Sequence, residues 1–272
     1  MVKPYLARID LYPFKSLDGV RVKMARVLSS GALEHDREYA LFDHQGRVVN
    51  GKRCAQIHRL RSQFTDNFQT IALGDINEST AQVFHVDRDL ASLEAWLSNY
   101  LQRDIHIQHN STMGFPDDTQ SPGPTLISTA TLEIIASWFP PLTLAEIRRR
   151  FRTNLEIGGV PAFWEDQLFA AADQRVQFQI GSLVLEGVNP CQRCIVPSRD
   201  SHSGAATAQF QKIFSHNRQQ SLLDGVNRDR FNHFYRLAVN TQVSKAQGKT
   251  ITEGDELTIK GIVEASLKIE LC

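Results

Sequence analysis

The hydrophobic positions along the chain follow two periods. Early on, Val20 and Val22 flank Arg21, and Tyr39-Ala40-Leu41-Phe42 is a short apolar run; Asp43-His44-Gln45-Gly46 is a hairpin turn into Arg47-Val48-Val49. Short strands with Gly and Asp turns predict a small barrel or sandwich over residues 1–85. Leu90, Leu93, Leu97 and Leu101 then recur at helical spacing, predicting an amphipathic helix opened by Asp87 or Asp89. Residues 110–125 carry three prolines and two glycines and predict a linker or functional loop, so that 86–125 connects two domains. Leu132, Ile135 and Phe139 mark a second helix with Ser128 or Thr129 at its start, and Thr143-Leu-Ala-Glu146 is a capping-box pattern opening a third through Phe151. Alternation returns in Val176–Ile180 and Leu183–Leu185 around Gly181-Ser182, a hairpin expected to hold the following loop on a sheet edge. A helix at Phe210, Ile213 and Phe214 follows. Strands at 235–239, 250–251 and 257–259 close the chain around the turn Glu253-Gly254-Asp255. The fold class expected is mostly β with short helices (α+β): a smaller β-rich N-terminal domain (1–85), a connecting segment (86–125) and a barrel-like second domain (126–272).

Composition narrows the partners. The 272 residues bury a core without disulfides, and 30 basic against 30 acidic residues give no net charge, which argues against nucleic acid as the main partner. The N-terminus lacks a secretory pattern and no segment is long and apolar enough to span a bilayer, so a cytoplasmic protein that does not enter membranes is expected. Four unevenly spaced cysteines do not form a disulfide framework.

The densest chemistry lies in Asn189-Pro-Cys191-Gln-Arg193-Cys194-Ile-Val-Pro197-Ser198-Arg199-Asp200. Two guanidinium groups beside a thiol favour thiolate, and a partly exposed thiolate is a nucleophile or a soft-metal ligand. Zinc would need two further ligands, and only His202 or His216 is near; a thioredoxin-like pair would sit early in the chain, ahead of a helix. A single thiolate on a metal whose other ligands come from a cofactor needs only one cysteine and an electropositive surround. Three further clusters qualify. Tyr12-Pro-Phe-Lys15-Ser16 is either a strand end with an exposed lysine or a phosphate contact. Asp36-Arg37 reads first as a structural ion pair. Arg148-Arg149-Arg150-Phe-Arg152 reads first as a solvated helix terminus, with Arg152 and Asn154 beyond it on one face of a strand.

Taken together, these residues resemble the MOSC-domain proteins that carry an N-terminal MOSC β-barrel domain, among them the mitochondrial amidoxime-reducing component and bacterial reductases of N-hydroxylated bases. Tyr12–Ser16 is similar to their Tyr-Pro-Val-Lys-Ser, Gly31 with Asp36-Arg37 to Gly-Leu-x-x-Asp-Arg, and Arg152-Thr-Asn154 to Arg-Pro-Asn. Phe163–Asp166 and Gly254-Asp255 also match, and Arg193-Cys194 with Asp200 matches Arg-Cys-x-x-x-x-x-Asp. The resemblance implies the molybdenum cofactor (Mo-molybdopterin), with no pyridoxal phosphate expected. Cys194 would be the metal ligand; Lys15, Ser16, Arg37, Arg152, Asn154 and Arg193 would bind the cofactor; Cys194, Arg193 and Asp200 would be catalytic, Asp200 either moving a proton or holding the loop. It implies reduction of an N-hydroxylated or N-oxygenated small molecule with electrons from a separate ferredoxin- or flavoprotein-like donor, or else a carrier of the cofactor or of persulfide sulfur. Cys191 stays open as spectator, resolving thiol or packing residue. The chain departs from the reductases' Arg-Cys-Ile-x-Thr-Thr-Val-Asp where Pro197, Ser198 and Arg199 replace Thr, Thr and Val.

Overall fold

The computed structural model describes residues 3–243 and 248–265. The chain opens with β1 (Tyr5–Leu11), β2 (Val20–Val22) and β3 (Met24–Arg26), followed by β4 (Tyr39–Phe42), β5 (Val48–Val49), β6 (Leu60–Thr65), β7 (Thr70–Asp75) and β8 (Gln82–His85). Helix α1 (Leu90–Leu101) and β9 (His106–His109) complete this half. The expected turn joins β4 to β5, with the Asp43 carboxylate accepting from the amides of Gln45 and Arg47. Helix α1 starts after Asp89 and buries Leu93, Leu97 and Leu101. Asp89 does not cap it through its side chain; that carboxylate accepts from the His85 amide at 2.8 Å and ties the helix start to β8. Sheets β5-β4-β9 and β6-β7-β8 close with α1 over one core containing Phe14, Leu41, Leu73 and Leu97.

The second half runs β10 (Leu126–Ser128), α2 (Thr129–Trp138), α3 (Leu144–Phe151), β11 (Leu155–Gly158), β12 (Gln174–Ile180), β13 (Leu183–Gln192), α4 (Phe210–Gln220), β14 (Arg236–Gln242), β15 (Thr250–Thr252) and β16 (Leu257–Glu264). Among the described residues eight strands form one sheet in the order β16-β12-β13-β14-β10-β11-β1-β2. The first two strands of the chain thus finish the sheet of the second half, and β3 pairs with β15. The parallel pair β10–β11 is crossed over by α2 and α3. Ser128 caps α2 by accepting from the Thr131 amide, and Thr143 caps α3 through the Glu146 amide. The return half of that capping box is not made, because the Glu146 carboxylate is drawn to Arg150 and Ser201. The fold is the mostly β, α+β class expected, and no helix among the described residues is long and apolar enough to cross a membrane.

One expectation is corrected. The hairpin β12–β13 is not at a sheet edge: β16 covers β12 on one side and β14 covers β13 on the other. Strand β13 carries ladder pairing through Gln192, which is opposite Arg236, so Cys191 sits within an interior strand and the chain leaves the sheet only after Gln192.

The Phe163–Asp166 segment is structural. Asp166 holds Arg218 through two oxygens at 2.6 Å, and the guanidinium, 1% exposed, lies over the rings of Phe163 and Phe231. Removing one member of such a buried pair leaves an unpaired charge, so Asp166→Asn is expected to destabilise the protein by about 3–5 kcal/mol, read as a lowered urea midpoint. Beside it, Glu165 is buried, its Oε2 accepts from Thr131 at 3.0 Å, and its Oε1 has no partner among the described residues. Burial, then the neighbouring Asp166 charge, pushes its carboxyl up to about 7. The native state keeps this proton where the unfolded chain has lost it, so the contribution of Glu165 to stability falls as pH rises from about 4.5 to 7 and is flat above. Glu165→Gln is therefore expected to gain stability relative to wild type between pH 5 and pH 8, by a few kcal/mol at most; denaturant titrations at both pH values check the sign.

Candidate functional site

Between the two halves lies a cavity of about 980 Å³. It is lined from the first half by Tyr12, Lys15, Ser16, Arg37 and His58, and from the second by the end of α3 and the cysteine loop. Its size suits a small-molecule or cofactor site.

Beyond β1 the chain turns sharply through Pro13 and Phe14, whose ring stacks on Tyr39 in the core. That anchoring fixes Lys15, whose Nζ donates to Phe115 O at 2.7 Å and Asp117 at 2.8 Å. The lysine side chain is only 13% exposed, which corrects the exposed strand-end reading; burial lowers its pKa, against the raising effect of Asp117. Asp117 is correspondingly held well below the usual carboxylate range by Lys15, then Lys52 and Arg37, against the raising effect of burial. Ser16 has φ of +77°, and its hydroxyl accepts weakly from the Gly51 amide at 3.4 Å. Loop 110–125 thus contributes directly to the site.

Arg37 and Arg152 both lie at the Tyr12 ring, with their guanidinium carbons 5.1 Å and 4.2 Å from the ring centroid. Both have left-handed backbones, at φ of +53°. Arg37 is paired with Asp36, which also accepts from the Tyr12 amide at 3.0 Å, so the structural ion pair read from sequence is present and lies in the cavity wall. Arg152 terminates α3, and β11 begins only at Leu155; Arg152 and Asn154 are therefore not on one strand face, which corrects that expectation. Asn154 is buried, accepting from Thr125 and Arg37 and donating to Asp10 O at 3.1 Å. It positions Arg37 from within the wall. Arg152 donates through Nη1 to Leu17 O at 2.6 Å, Nη2 has no partner among the described residues, and burial lowers the pKa of its guanidinium.

The arginine run is not a solvated helix end. Arg148 forms a double contact with Glu156 at 2.6 and 2.9 Å, Arg150 is 2% exposed on Glu146 at 2.6 Å, and Arg149 reaches Ser201 at 3.3 Å. Glu146, Asp200 and His202 converge closely enough to suggest a metal site, but Arg150 already contacts both carboxylates. Neither cysteine belongs to that group, so the zinc reading gains no ligand set from it.

In the cysteine loop, Cys191 and Cys194 are free thiols, each partly exposed and lining the cavity. Arg193 meets Cys191, with Nη1 3.3 Å from its sulfur, while its Nη2 donates to Phe151 O and its ring of charge lies over Phe151. The contact expected at Cys194 is therefore on the other thiol, because the β-bulge before Gln192 turns Cys191 towards the arginine. Pro197 and Ser198 are buried in a short helical turn, fixing the loop. Asp200 does not line the cavity: its Oδ1 accepts from His202 N, Ser203 N and Ser203 Oγ, which hold its carboxyl low against the raising effect of burial. These bonds tie Asp200 to its own loop.

The structure adds residues that no sequence motif marked. His58 and Arg61 reach the cavity from the first half, where Arg61 donates to His58 O at 2.6 Å and to Ser201 O at 3.1 Å, linking the halves. Burial, and then Arg199, Arg152 and Arg61, lower the pKa of His58 against a raising bond to Gly51 O. Arg236 enters by strand register alone, opposite Gln192.

Comparison with known proteins identifies both halves of the chain. Residues 3–104 match the family model "MOSC N-terminal beta barrel domain", and residues 126–258 match "MOSC domain". Two curated relatives are each described as a molybdenum cofactor sulfurase. One, from Caenorhabditis elegans, is 22% identical over 74% of this chain and 30% of its own length; the other, from Drosophila grimshawi, is 24% identical over 71% and 28%. The chain thus spans under a third of the length of these relatives. The crystal structure of the YUAD protein from Bacillus subtilis aligns over 97% of this chain and 100% of its own, at 10% identity and a TM-score of 0.36. The matched domain and the relatives support a function related to the molybdenum cofactor. With both of its halves matched in order, the chain belongs to the MOSC-domain family and carries that family's N-terminal β-barrel domain.

Proposed function

We propose that the protein is a molybdenum cofactor-dependent oxidoreductase that reduces N-hydroxylated or N-oxygenated small molecules, with Cys194 as the metal ligand. One observation carries this: a free, partly exposed thiol opens into the same cavity as Arg152 and Arg193, each with a buried N–H that has no partner among the described residues. The residues fit the group. A single soft sulfur suits a metal whose remaining ligands come with its cofactor, and unpaired guanidinium N–H groups suit a phosphate. Lys15, Arg37, Arg152 and Arg193 would hold the pterin phosphate, with Ser16 at the turn beside them. When bound, the cofactor would supply two-electron oxygen-atom chemistry, in which R–NH–OH, two electrons and two protons give R–NH2 and water. The electrons would come from a separate ferredoxin- or flavoprotein-like donor.

A carrier of the cofactor, or of a persulfide on Cys194, is the second reading. It is favoured by the similarity to sulfurases and by the Arg193 guanidinium set against a second thiol. Cys194→Ser protein from a cofactor-competent host is expected to lose at least about tenfold of its bound molybdenum and all viologen-driven reduction of benzamidoxime. Full metal occupancy in that variant would sink the ligand assignment. Wild-type protein that holds cofactor or cyanolysable sulfur without turning over benzamidoxime would establish the carrier instead.

A further inference from the structure

We propose that Arg199 is the specificity-determining residue of this site and binds a carboxylate on the substrate, so that the preferred substrates are acidic N-oxygenated molecules. This rests on the reductase reading and deepens it. Arg199 follows the buried turn Val196–Ser198 and is pinned by a backbone bond to Val196 O at 2.9 Å and a bridge to Ala206. Its Nη1 donates to Gly204 O at 3.0 Å, and its Nε is buried with no partner. Among the described residues no carboxylate pairs with it, and those of Asp18, Glu146 and Asp200 have other partners: Asp18 has Arg61 at 3.4 Å, Glu146 has Arg150 at 2.6 Å, and Asp200 has its own loop. The other groups facing this corner do not neutralise it either. His58, from the first half, is pushed towards its neutral form by burial and by the charges of Arg199, Arg152 and Arg61. The Nη2 of Arg199 is neither buried nor hydrogen-bonded among the described residues, and a fixed, cavity-lining guanidinium with that N–H group left open is a carboxylate receptor.

The position also separates Arg199 from the arginines assigned to the cofactor. Arg152 and Arg193 are tied to the end of α3, through its final turn and through Phe151 O, and Arg152 lies with Arg37 at the Tyr12 ring. Arg199 instead hangs on the 199–206 loop, in the corner made with His58 of the first half. The resembling reductases have Val there, which offers no anion contact.

Calorimetric binding of 4-carboxybenzamidoxime and benzamidoxime to the cofactor-loaded protein tests this. Wild type is expected to favour the carboxylated probe by about tenfold or more, about 1.4 kcal/mol. Arg199→Gln keeps a donor for Gly204 O but no charge, and should reduce that preference to about twofold or less; Arg199→Lys should restore most of it. Pterin content, read by fluorescence after oxidation, should match wild type in both variants. Equal affinities in wild type, an unchanged preference in Arg199→Gln, or pterin loss from that variant would each overturn the inference. Carboxylate-dependent binding without viologen-driven turnover of either probe would uphold Arg199 as the anchor and overturn the reductase reading; turnover of both probes with equal kcat/KM would do the reverse.

Discussion

The buried amide of Asn154 joins four separate parts of this molecule. Its nitrogen donates to Asp10 O on β1, and its oxygen accepts from the Thr125 amide, the Thr125 hydroxyl and Arg37. One side chain, 2% exposed, thus ties the chain's first strand, the loop ahead of β10, the start of β11 and an arginine of the cavity wall. A buried amide must satisfy its donors and acceptors or lose about 1–3 kcal/mol for each group left bare, so these four segments are held in one arrangement. Arg37 is one of the groups it holds, and Arg37 Nη2 in turn donates to Arg152 O at 3.2 Å. The backbones of Ser16, Arg37 and Arg152 are all left-handed, which for side-chain-bearing residues costs of order 1 kcal/mol each and survives only where the surroundings over-determine it. All three line the same cavity.

The arginines divide by partner. Arg148, Arg150 and Arg218 each meet a carboxylate with no more than a quarter of the side chain exposed, and their work is to hold α3, the 199–206 loop and α4. Arg152, Arg193 and Arg199 have carbonyls, aromatic faces and a thiol as neighbours, and each keeps a bare buried N–H. Ion pairs of the first kind close a charge within the protein. The second kind leaves positive potential in a partly desolvated space, where a bound anion is worth more than in water. The molecule's zero formal charge hides this division completely.

Much of the fold was legible in residue patterns because single side chains decide it locally: the leucine stripe of α1, the Asp43 turn, the Ser128 cap. What could not be read depends on register and on distant partners. Nothing in Arg148-Arg149-Arg150 announces Glu156 or Glu146 as acceptors, since a solvated and a buried arginine are written the same way. Alternation through β12 and β13 specifies faces but not neighbours, so β16 and β14 closing both flanks was invisible, and with them Arg236 at the site. His58 is a lone histidine in a segment with no motif, and only the approach of the two halves gives it Arg199 and Val196 as surroundings. The family motifs were readable as order and spacing; the bulge that turns Arg193 to Cys191 was not.

Neither half contains the site. Lys15, Arg37 and His58 come from before the loop 110–125, and Arg152, Cys194 and Arg199 come after it. Arg61 crosses between them to Ser201 O, and the Gly51 turn lies against Val196 of the cysteine loop. An anion bridging Arg37 and Arg152 would therefore add binding free energy to the contact between halves, and would be felt as stability only by the closed arrangement. The same linkage runs backwards: whatever holds β1 in the second half's sheet also keeps Lys15 and Arg37 in reach of the cysteine loop. Insertion of the first strands between β11 and solvent is thus more than a topological detail, because it fixes the width of the cavity between the halves.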